Sequence, residues 1–167
     1  MSILWIVLAL VAAQRLAELA YARRNTRRLL AAGGEESGAG HYPLLVGLHA
    51  LWLVALAVFV PADQAPNWGL LGVFAVLQGL RLWVLASLGR FWTTRVITLP
   101  GAPLVRRGPY RWFRHPNYLV VAGEILVLPL AFGAWEIAVV FSLANAAILL
   151  LRVRVEERAL SPRRPAA

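Results

Sequence analysis

One short segment in the second half of the chain carries most of the residues that could do chemistry. Residues 104–118 read LVRRGPYRWFRHPNY, a basic and aromatic stretch between two long apolar stretches. Gly108-Pro109 is a turn signal, and a residue that precedes proline is biased away from the helical region. Proline suits the first position of a helix, so a helix is predicted to begin at Pro116, with His115 just outside it. The free amide groups and the positive dipole end of that helix would favour an anionic group of a ligand.

A second candidate group lies near the C-terminus, where residues 152–157 read RVRVEE. Arg152 and Glu156 are four residues apart and therefore share one face of a helix. One interpretation is a surface ion pair, which contributes only about a few tenths of a kcal/mol. The other is functional: a short turn upstream would return this end of the chain to the helix start at Pro116. A carboxylate there would accept a hydrogen bond from a ligand amine.

Composition identifies the class of protein. Of the 167 residues, 60% are hydrophobic and 15% are charged, and the mean hydropathy is +0.66; a soluble domain carries about 25% charged residues. The absence of cysteine excludes disulfides, thiolate metal ligands and cysteine nucleophiles, and no metal site is predicted. The net charge of +9 is typical of some nucleic-acid-binding proteins, but the positions of the arginines indicate membrane topology instead. We therefore predict no nucleic-acid partner.

The apolar runs predict an all-α integral membrane protein with five transmembrane helices. The predicted spans cover residues 2–22, 42–60, 68–88, 116–132 and 135–151. The first span is not a signal peptide, because its basic residues follow the apolar run. Residues 31–40 are glycine-rich and predict a flexible loop, and the Gly133-Ala134 turn predicts that the last two spans pack as an antiparallel hairpin.

The arginines orient this bundle. Fifteen of the seventeen lie in three segments, residues 23–42, 89–114 and 152–167. The two remaining connections between spans, residues 61–67 and 133–134, contain no arginine. The positive-inside rule then predicts an N-terminus outside and a C-terminus in the cytoplasm. An odd span count without an internal repeat argues against a small transporter. We expect one domain with two parts, a three-helix membrane part at 1–88 and a catalytic, cofactor-binding part at 89–167.

Several polar residues lie inside the predicted spans. Arg15 and Glu18 are three residues apart, and a local ion pair near the cytoplasmic interface is favoured over a polar element that faces the bundle interior. Arg81, three residues after Gln78, is predicted to extend to the interface.

Three further polar residues occur in apolar surroundings. Glu124 needs a partner if it is ionised, and a structural hydrogen bond to Asn145 of the next span is slightly favoured over a functional role. His49 is a lone histidine on an apolar helix, for which packing is favoured over ligand binding.

An anion-binding helix start, a cation-binding carboxylate and aromatic faces together suit S-adenosylmethionine, which presents a carboxylate, an amine, a sulfonium and an adenine. The sequence GPYRWFRHPNY, followed by a hydrophobic hairpin and RVRVEE, resembles the isoprenylcysteine carboxyl methyltransferase family of integral membrane enzymes. The resemblance covers roughly residues 88–160. The N-terminal half, with HYPLLVGLH, is similar to a bacterial branch that includes methyltransferases of alkylpyrones made by type III polyketide synthases.

This resemblance implies a cofactor, S-adenosylmethionine, bound at the cytoplasmic ends of the last helices, and a lipid acceptor that enters from the bilayer. The family's long first loop and extra N-terminal helices are absent here. Arg152 matches the residue that holds the acceptor, which makes it the catalytic candidate. The positions that match cofactor contacts are Pro103, Leu104, Val105, Tyr110, His115, Pro116, Asn117, Tyr118 and Glu156.

The function implied is a membrane S-adenosylmethionine-dependent O-methyltransferase of the inner membrane, with its active site facing the cytoplasm. Its expected partners are membrane lipids and a lipophilic or prenylated acceptor. A carboxylate acceptor is already ionised at neutral pH, so no general base is required, and Arg152 could hold it through a two-pronged hydrogen-bonded pair. Two alternatives stay open: N-methylation of a phospholipid headgroup, and a non-enzymatic membrane protein whose arginines and aromatic rings bind anionic headgroups.

Overall fold

The structure, a computed structural model, describes residues 2–161 and consists mainly of five α-helices. The C-terminal residues 162–167, which include two of the arginines counted above, lie outside the described part. The helices are α1 (Ile3–Ala31), α2 (Tyr42–Phe59), α3 (Trp68–Leu88), α4 (Pro116–Ala131) and α5 (Trp135–Leu160). Two short strands, β1 (Glu35–Ser37) and β2 (Val96–Thr98), and three single turns of 3₁₀-helix complete the described chain.

The helices carry the apolar surface of an integral membrane protein. Four of them, α1, α2, α3 and α5, are long and apolar enough to cross a bilayer. Helix α4 is apolar but has only 16 residues, about 24 Å at ~1.5 Å per residue, which is short of a hydrocarbon core of ~30 Å. The outer faces remain apolar, as at Leu10, Val58 and Leu143. The prediction of a helical membrane protein is confirmed; five spans and their orientation remain predictions.

The last two helices form the expected hairpin. Helix α4 ends at Ala131, the chain turns at Gly133 with a φ of +71°, and α5 begins at Trp135. A positive φ at this turn suits glycine, which has no Cβ to clash. The hairpin returns the C-terminal end of α5 to the N-terminal end of α4, and α4 also packs closely along α3.

Four charged residues meet inside the bundle instead of at its surface. Arg81 Nη2 lies 2.6 Å from Glu18 Oε2, and Arg81 Nη1 lies 3.0 Å from Glu124 Oε2. Arg15 contacts the same two carboxylates, each at 2.9 Å, and Gln78 donates to Glu124 at 2.9 Å. We call Arg15, Glu18, Arg81 and Glu124 the buried charge network. It joins α1, α3 and α4 with two positive and two negative charges.

This network corrects three predictions. Arg81 does not extend to the interface, because it is only 6% exposed and both of its partners lie inside the bundle. Arg15 and Glu18 do pair locally, but they also face the bundle interior. Glu124 bonds to α1 and α3 rather than to Asn145, whose Oδ1 has no hydrogen-bond partner in residues 2–161. His49 contacts the carbonyl of Leu45 within its own helix at 2.8 Å, which supports the packing interpretation.

The region predicted as a flexible loop contains a short strand and the start of a 3₁₀ turn instead. Helix α1 continues to Ala31, and β1 then pairs antiparallel with β2, with Glu36 opposite Ile97. Asn25 of α1 is fully buried, and its side-chain amide donates to the carbonyls of Gly89 (3.1 Å) and Trp92 (2.9 Å). The N-terminal part of the chain therefore holds the segment that leads from α3 into β2.

Candidate functional site

A cavity of about 570 Å³ lies where the start of α4 meets the end of α5. It is lined by β2 and the loop that follows it, and by residues at these ends of the two helices. Its size lies within the ~300–1,000 Å³ range of small-molecule sites. Nine of the ten residues predicted from the sequence line it: Pro103, Leu104, Val105, Tyr110, His115, Asn117, Tyr118, Arg152 and Glu156.

Pro116, the tenth, begins α4 as predicted but is buried and does not line the cavity. His115 immediately before it has φ −130° and ψ 57°, outside the helical region, and its side chain makes no capping hydrogen bond. The first turn of α4 is therefore not capped by that side chain. Asn117 in this turn lines the cavity, and its buried Oδ1 has no hydrogen-bond partner in residues 2–161.

The loop before α4 is attached to the end of α3. Arg107 Nε donates to the carbonyl of Ser87 at 2.7 Å, and a cation suits the negative end of the helix dipole. Gly108 follows with a φ of +57°, and a Cβ at this position would lie 2.1 Å from Ser87 Oγ. Only glycine fits both the conformation and the space. This attachment holds the 3₁₀ turn Gly108–Arg111, which carries Tyr110 to the cavity.

Arg152 is held from two sides. Its Nε donates to the hydroxyl of Tyr118 at 3.0 Å, and its Nη2 donates to the backbone carbonyl of Thr94 at 2.6 Å. The residue is 5% exposed, and its buried Nη1 has no hydrogen-bond partner in the described part of the chain. The interpretation of Arg152 and Glu156 as a surface ion pair is therefore wrong, because Arg152 bonds to α4 and to the strand segment. As an N–H donor without a hydrogen-bond partner in residues 2–161, Nη1 can donate to an oxygen atom in the cavity.

Glu156, one helical turn after Arg152, accepts a hydrogen bond from the hydroxyl of Tyr118. The hydroxyl of Tyr118 therefore bonds to both Arg152 and Glu156 of α5. Its ring stacks on the imidazole of His115, with centroids 5.4 Å apart and planes at 11°. The four side chains form one connected group at the junction of α4 and α5.

The carboxylates of α5 also act on His115. Its Nδ1 lies 3.7 Å from Glu156 Oε2, and its Nε2 lies 3.5 Å from Glu157 Oε1. The interaction with Glu156 raises the pKa of His115 above its usual value despite partial burial, which acts in the opposite direction. Burial raises the pKa of the Tyr110 hydroxyl, so that group remains protonated at physiological pH.

Two residues of the site were not predicted from the sequence. Thr94 acts through its carbonyl, which every residue possesses, so its side-chain type carries no signal. Asn25 is a single polar residue near the end of a long helix, and nothing in its spacing points to the turn 64 residues away that it holds.

Comparison with known proteins shows a family match over the part of the chain that forms most of the cavity. The model of the isoprenylcysteine carboxyl methyltransferase family matches residues 70–162. The chain is 39% identical over 160 residues to the uncharacterized protein YpbQ of Bacillus subtilis, covering 93% of this chain and 95% of that protein. It is 26% identical over 163 residues to an uncharacterized protein of Haemophilus influenzae, covering 93% of this chain and 94% of that protein. No solved structure gives a significant match.

Proposed function

Since the chain belongs to the isoprenylcysteine carboxyl methyltransferase family, a family of membrane methyltransferases, we propose a specific activity for it. It is an S-adenosylmethionine-dependent O-methyltransferase whose acceptor is lipophilic and carries a carboxylate or an acidic hydroxyl. The observation that carries this proposal is Arg152, a buried cation in the cavity wall whose Nη1 has no protein partner within residues 2–161.

The cavity residues fit the cofactor. The carboxylate of Glu156 suits the ammonium group, and Asn117 Oδ1 is a buried acceptor without a partner in the described chain. Aromatic rings such as Tyr110 and Phe113, which also line the cavity, suit stacking on an adenine or contact with a sulfonium. When bound, S-adenosylmethionine supplies a methyl group that an ionised acceptor oxygen takes as the carbon–sulfur bond breaks and sulfur keeps the electron pair.

The protein contributes placement and charge. Arg152 Nη1 would bind the acceptor oxygen, while its other two bonds fix the plane of the guanidinium. Holding the reacting groups in line at near-attack distance is the main requirement of such a transfer. The apolar part of the cavity wall, which includes Leu29, Leu88 and Leu160, would exclude water from the acceptor oxygen and receive the start of its tail.

The charges around the cavity favour an anionic acceptor over an amine. Four arginines line it against one carboxylate, Glu156; they are Arg95, Arg106, Arg114 and Arg152. A phospholipid amine would have to approach this positive wall and lose a proton before methylation. Anionic lipid binding without catalysis would use the arginines but would give the carboxylate of Glu156 no ligand group to bind.

The test is a labelled-methyl assay on purified protein with a membrane lipid extract as acceptor. We expect radioactivity from S-adenosylmethionine to enter the lipid fraction, with the methylated product identified by mass spectrometry as an ester or an ether. Isothermal titration with S-adenosylhomocysteine in detergent provides the second measurement. A protein that neither binds S-adenosylhomocysteine nor labels any lipid contradicts the proposal.

The cofactor role of Glu156 predicts a specific loss. Glu156→Gln keeps the size of the side chain but removes the charge that would meet the ammonium group. Loss of a charge-assisted hydrogen bond costs about 1.5–3 kcal/mol, so the affinity for S-adenosylhomocysteine is expected to fall roughly tenfold to a hundredfold. The matched control is Glu157→Gln, which removes a neighbouring carboxylate that does not line the cavity. Equal, small effects of the two changes in calorimetry would argue against the assignment.

We further propose that the active site of the catalytic part, residues 89–167, faces the cytoplasm, and that the hairpin of this part spans the membrane beside the three-helix part, residues 1–88. The supporting pattern is the asymmetry of arginine between the two sets of connections. A topology reporter fused to the C-terminus is expected to report cytoplasm, and one inserted at Gln64, an exposed residue between α2 and α3, the opposite side. Reporters on the same side would overturn the five-span topology.

A further inference from the structure

Tyr118 lies between the two residues of α5 to which the proposed function gives different tasks. Its hydroxyl oxygen accepts a hydrogen bond from Arg152 Nε at 3.0 Å and donates its own proton to the carboxylate of Glu156. A hydroxyl has one proton to donate and can accept at the same time, so this arrangement satisfies both bonds at once. One atom therefore connects the acceptor-binding cation with the cofactor-binding carboxylate.

The surroundings hold the Tyr118 ring in place. It stacks on His115 on one side, and the guanidinium carbon of Arg152 lies 5.9 Å from its centroid. Tyr118 is the third residue of α4, whereas Arg152 and Glu156 belong to α5. The hydroxyl thus connects α4 to α5, and it contacts both the residue proposed to bind the acceptor and the residue proposed to bind the cofactor.

Without this hydroxyl, neither α5 residue is fixed in the same way. Arg152 would keep its bond to the Thr94 carbonyl, but the guanidinium could rotate about that bond because Nε would have no partner. Glu156 would keep His115 near one oxygen, at 3.7 Å. Both side chains would remain charged and in place on α5 but would be less well oriented towards the cavity.

We propose that the hydroxyl of Tyr118 is a positioning group that couples the cofactor site at Glu156 to the acceptor site at Arg152. This inference rests on the proposed methyltransferase function. It gives Tyr118 a role distinct from lining the cofactor cavity: occupation of one site stabilises the orientation of the residue that serves the other. Coupling between two sites is reciprocal by thermodynamic necessity.

The test is Tyr118→Phe, which removes one oxygen and keeps the ring that stacks on His115. Two quantities are measured: the affinity for S-adenosylhomocysteine by calorimetry, and the transfer of labelled methyl into a lipid extract as the amount of extract is varied. We expect the affinity to fall only roughly threefold to tenfold, because Glu156 keeps its charge and loses one neighbour. The maximal transfer rate should fall by more than about tenfold, as for loss of a hydrogen bond to a charged group. The matched control is Tyr21→Phe, on an exposed face of α1 away from the cavity, which should change neither quantity.

Double variants separate coupling from a loss of local structure. In a Glu156→Gln background, Tyr118→Phe is expected to reduce S-adenosylhomocysteine affinity much less than in the parent. In an Arg152→Lys background, it is expected to reduce the transfer rate much less. Interacting residues give such non-additive effects, whereas independent ones add. Simple addition in both backgrounds, or a Tyr118→Phe protein indistinguishable from Tyr21→Phe, overturns the coupling role while leaving the methyltransferase function intact. A parent protein that fails both assays overturns the function itself and the coupling with it.

Discussion

Replacing Arg152 with lysine is expected to reduce methyl transfer by more than about tenfold while changing the affinity for S-adenosylhomocysteine by less than about threefold. Lysine keeps the positive charge but has one nitrogen in place of three. Arg152 uses Nε for Tyr118 and Nη2 for the Thr94 carbonyl. Its Nη1, which has no hydrogen-bond partner in residues 2–161, is the nitrogen that we propose binds the acceptor. A single ammonium group cannot stay in all three places, so the acceptor oxygen loses its partner or that partner loses its orientation.

The measurement is a methyl-transfer rate at saturating S-adenosylmethionine together with calorimetry on the same preparation. Arg154→Lys is the matched control, because Arg154 lies two residues after Arg152 in α5 and does not line the cavity. Near-normal methyl transfer by the Arg152→Lys protein would show that Arg152 serves packing or topology. A parallel loss of cofactor affinity would place its main role at the cofactor instead of the acceptor.

Replacing Glu124 with leucine is expected to lower the stability of the protein more than any other single change considered above. Glu124 is 2% exposed and accepts hydrogen bonds from Arg15, Arg81 and Gln78. Its loss leaves the buried Arg81 and the partly buried Arg15 facing the single carboxylate of Glu18. Removing one partner of a buried ion pair costs about 3–5 kcal/mol, and the change should appear as a large drop in the unfolding temperature of detergent-solubilised protein.

A second variant tests whether charge balance is the cause. In the double variant Glu124→Leu/Arg81→Leu, one positive and one negative charge are removed, and Arg15 retains its bond to Glu18 at 2.9 Å. We expect this protein to be markedly more stable than the sum of the two single changes predicts, because residues of one network couple. Additive losses would mean that each side chain contributes through packing alone.

The amino-acid sequence by itself determined the class of protein, the starts of the last two helices and the turn between them. The membrane character follows from composition, which needs no knowledge of contacts. The start of α4 at Pro116 and the turn at Gly133 follow from local rules about proline and glycine. Two helices joined by so short a turn must pack antiparallel, which places the start of α4 beside the C-terminal end of α5. The proximity of the HPNY segment to RVRVEE was therefore predictable from chain order, and the structure has nine of the ten expected residues around one cavity.

The tertiary structure alone decided which partners the charged residues have. A helical repeat shows which side chains share a face, but not which helix that face meets, so Arg81 was expected at the interface and Glu124 was expected beside Asn145. In the bundle both lie among α1, α3 and α4, where each buried charge needs an opposite one.

The same limit applies to the site. The pairing of β1 with β2 involves only three residues on each strand, too few for a sequence pattern to reveal, although β2 forms part of the cavity wall. Thr94, two residues before β2, contributes a backbone carbonyl to Arg152. Backbone groups are common to all residues, and their positions depend on how distant segments pack. The orientation of Arg152, and with it the position of its Nη1, was therefore decided only when the chain folded.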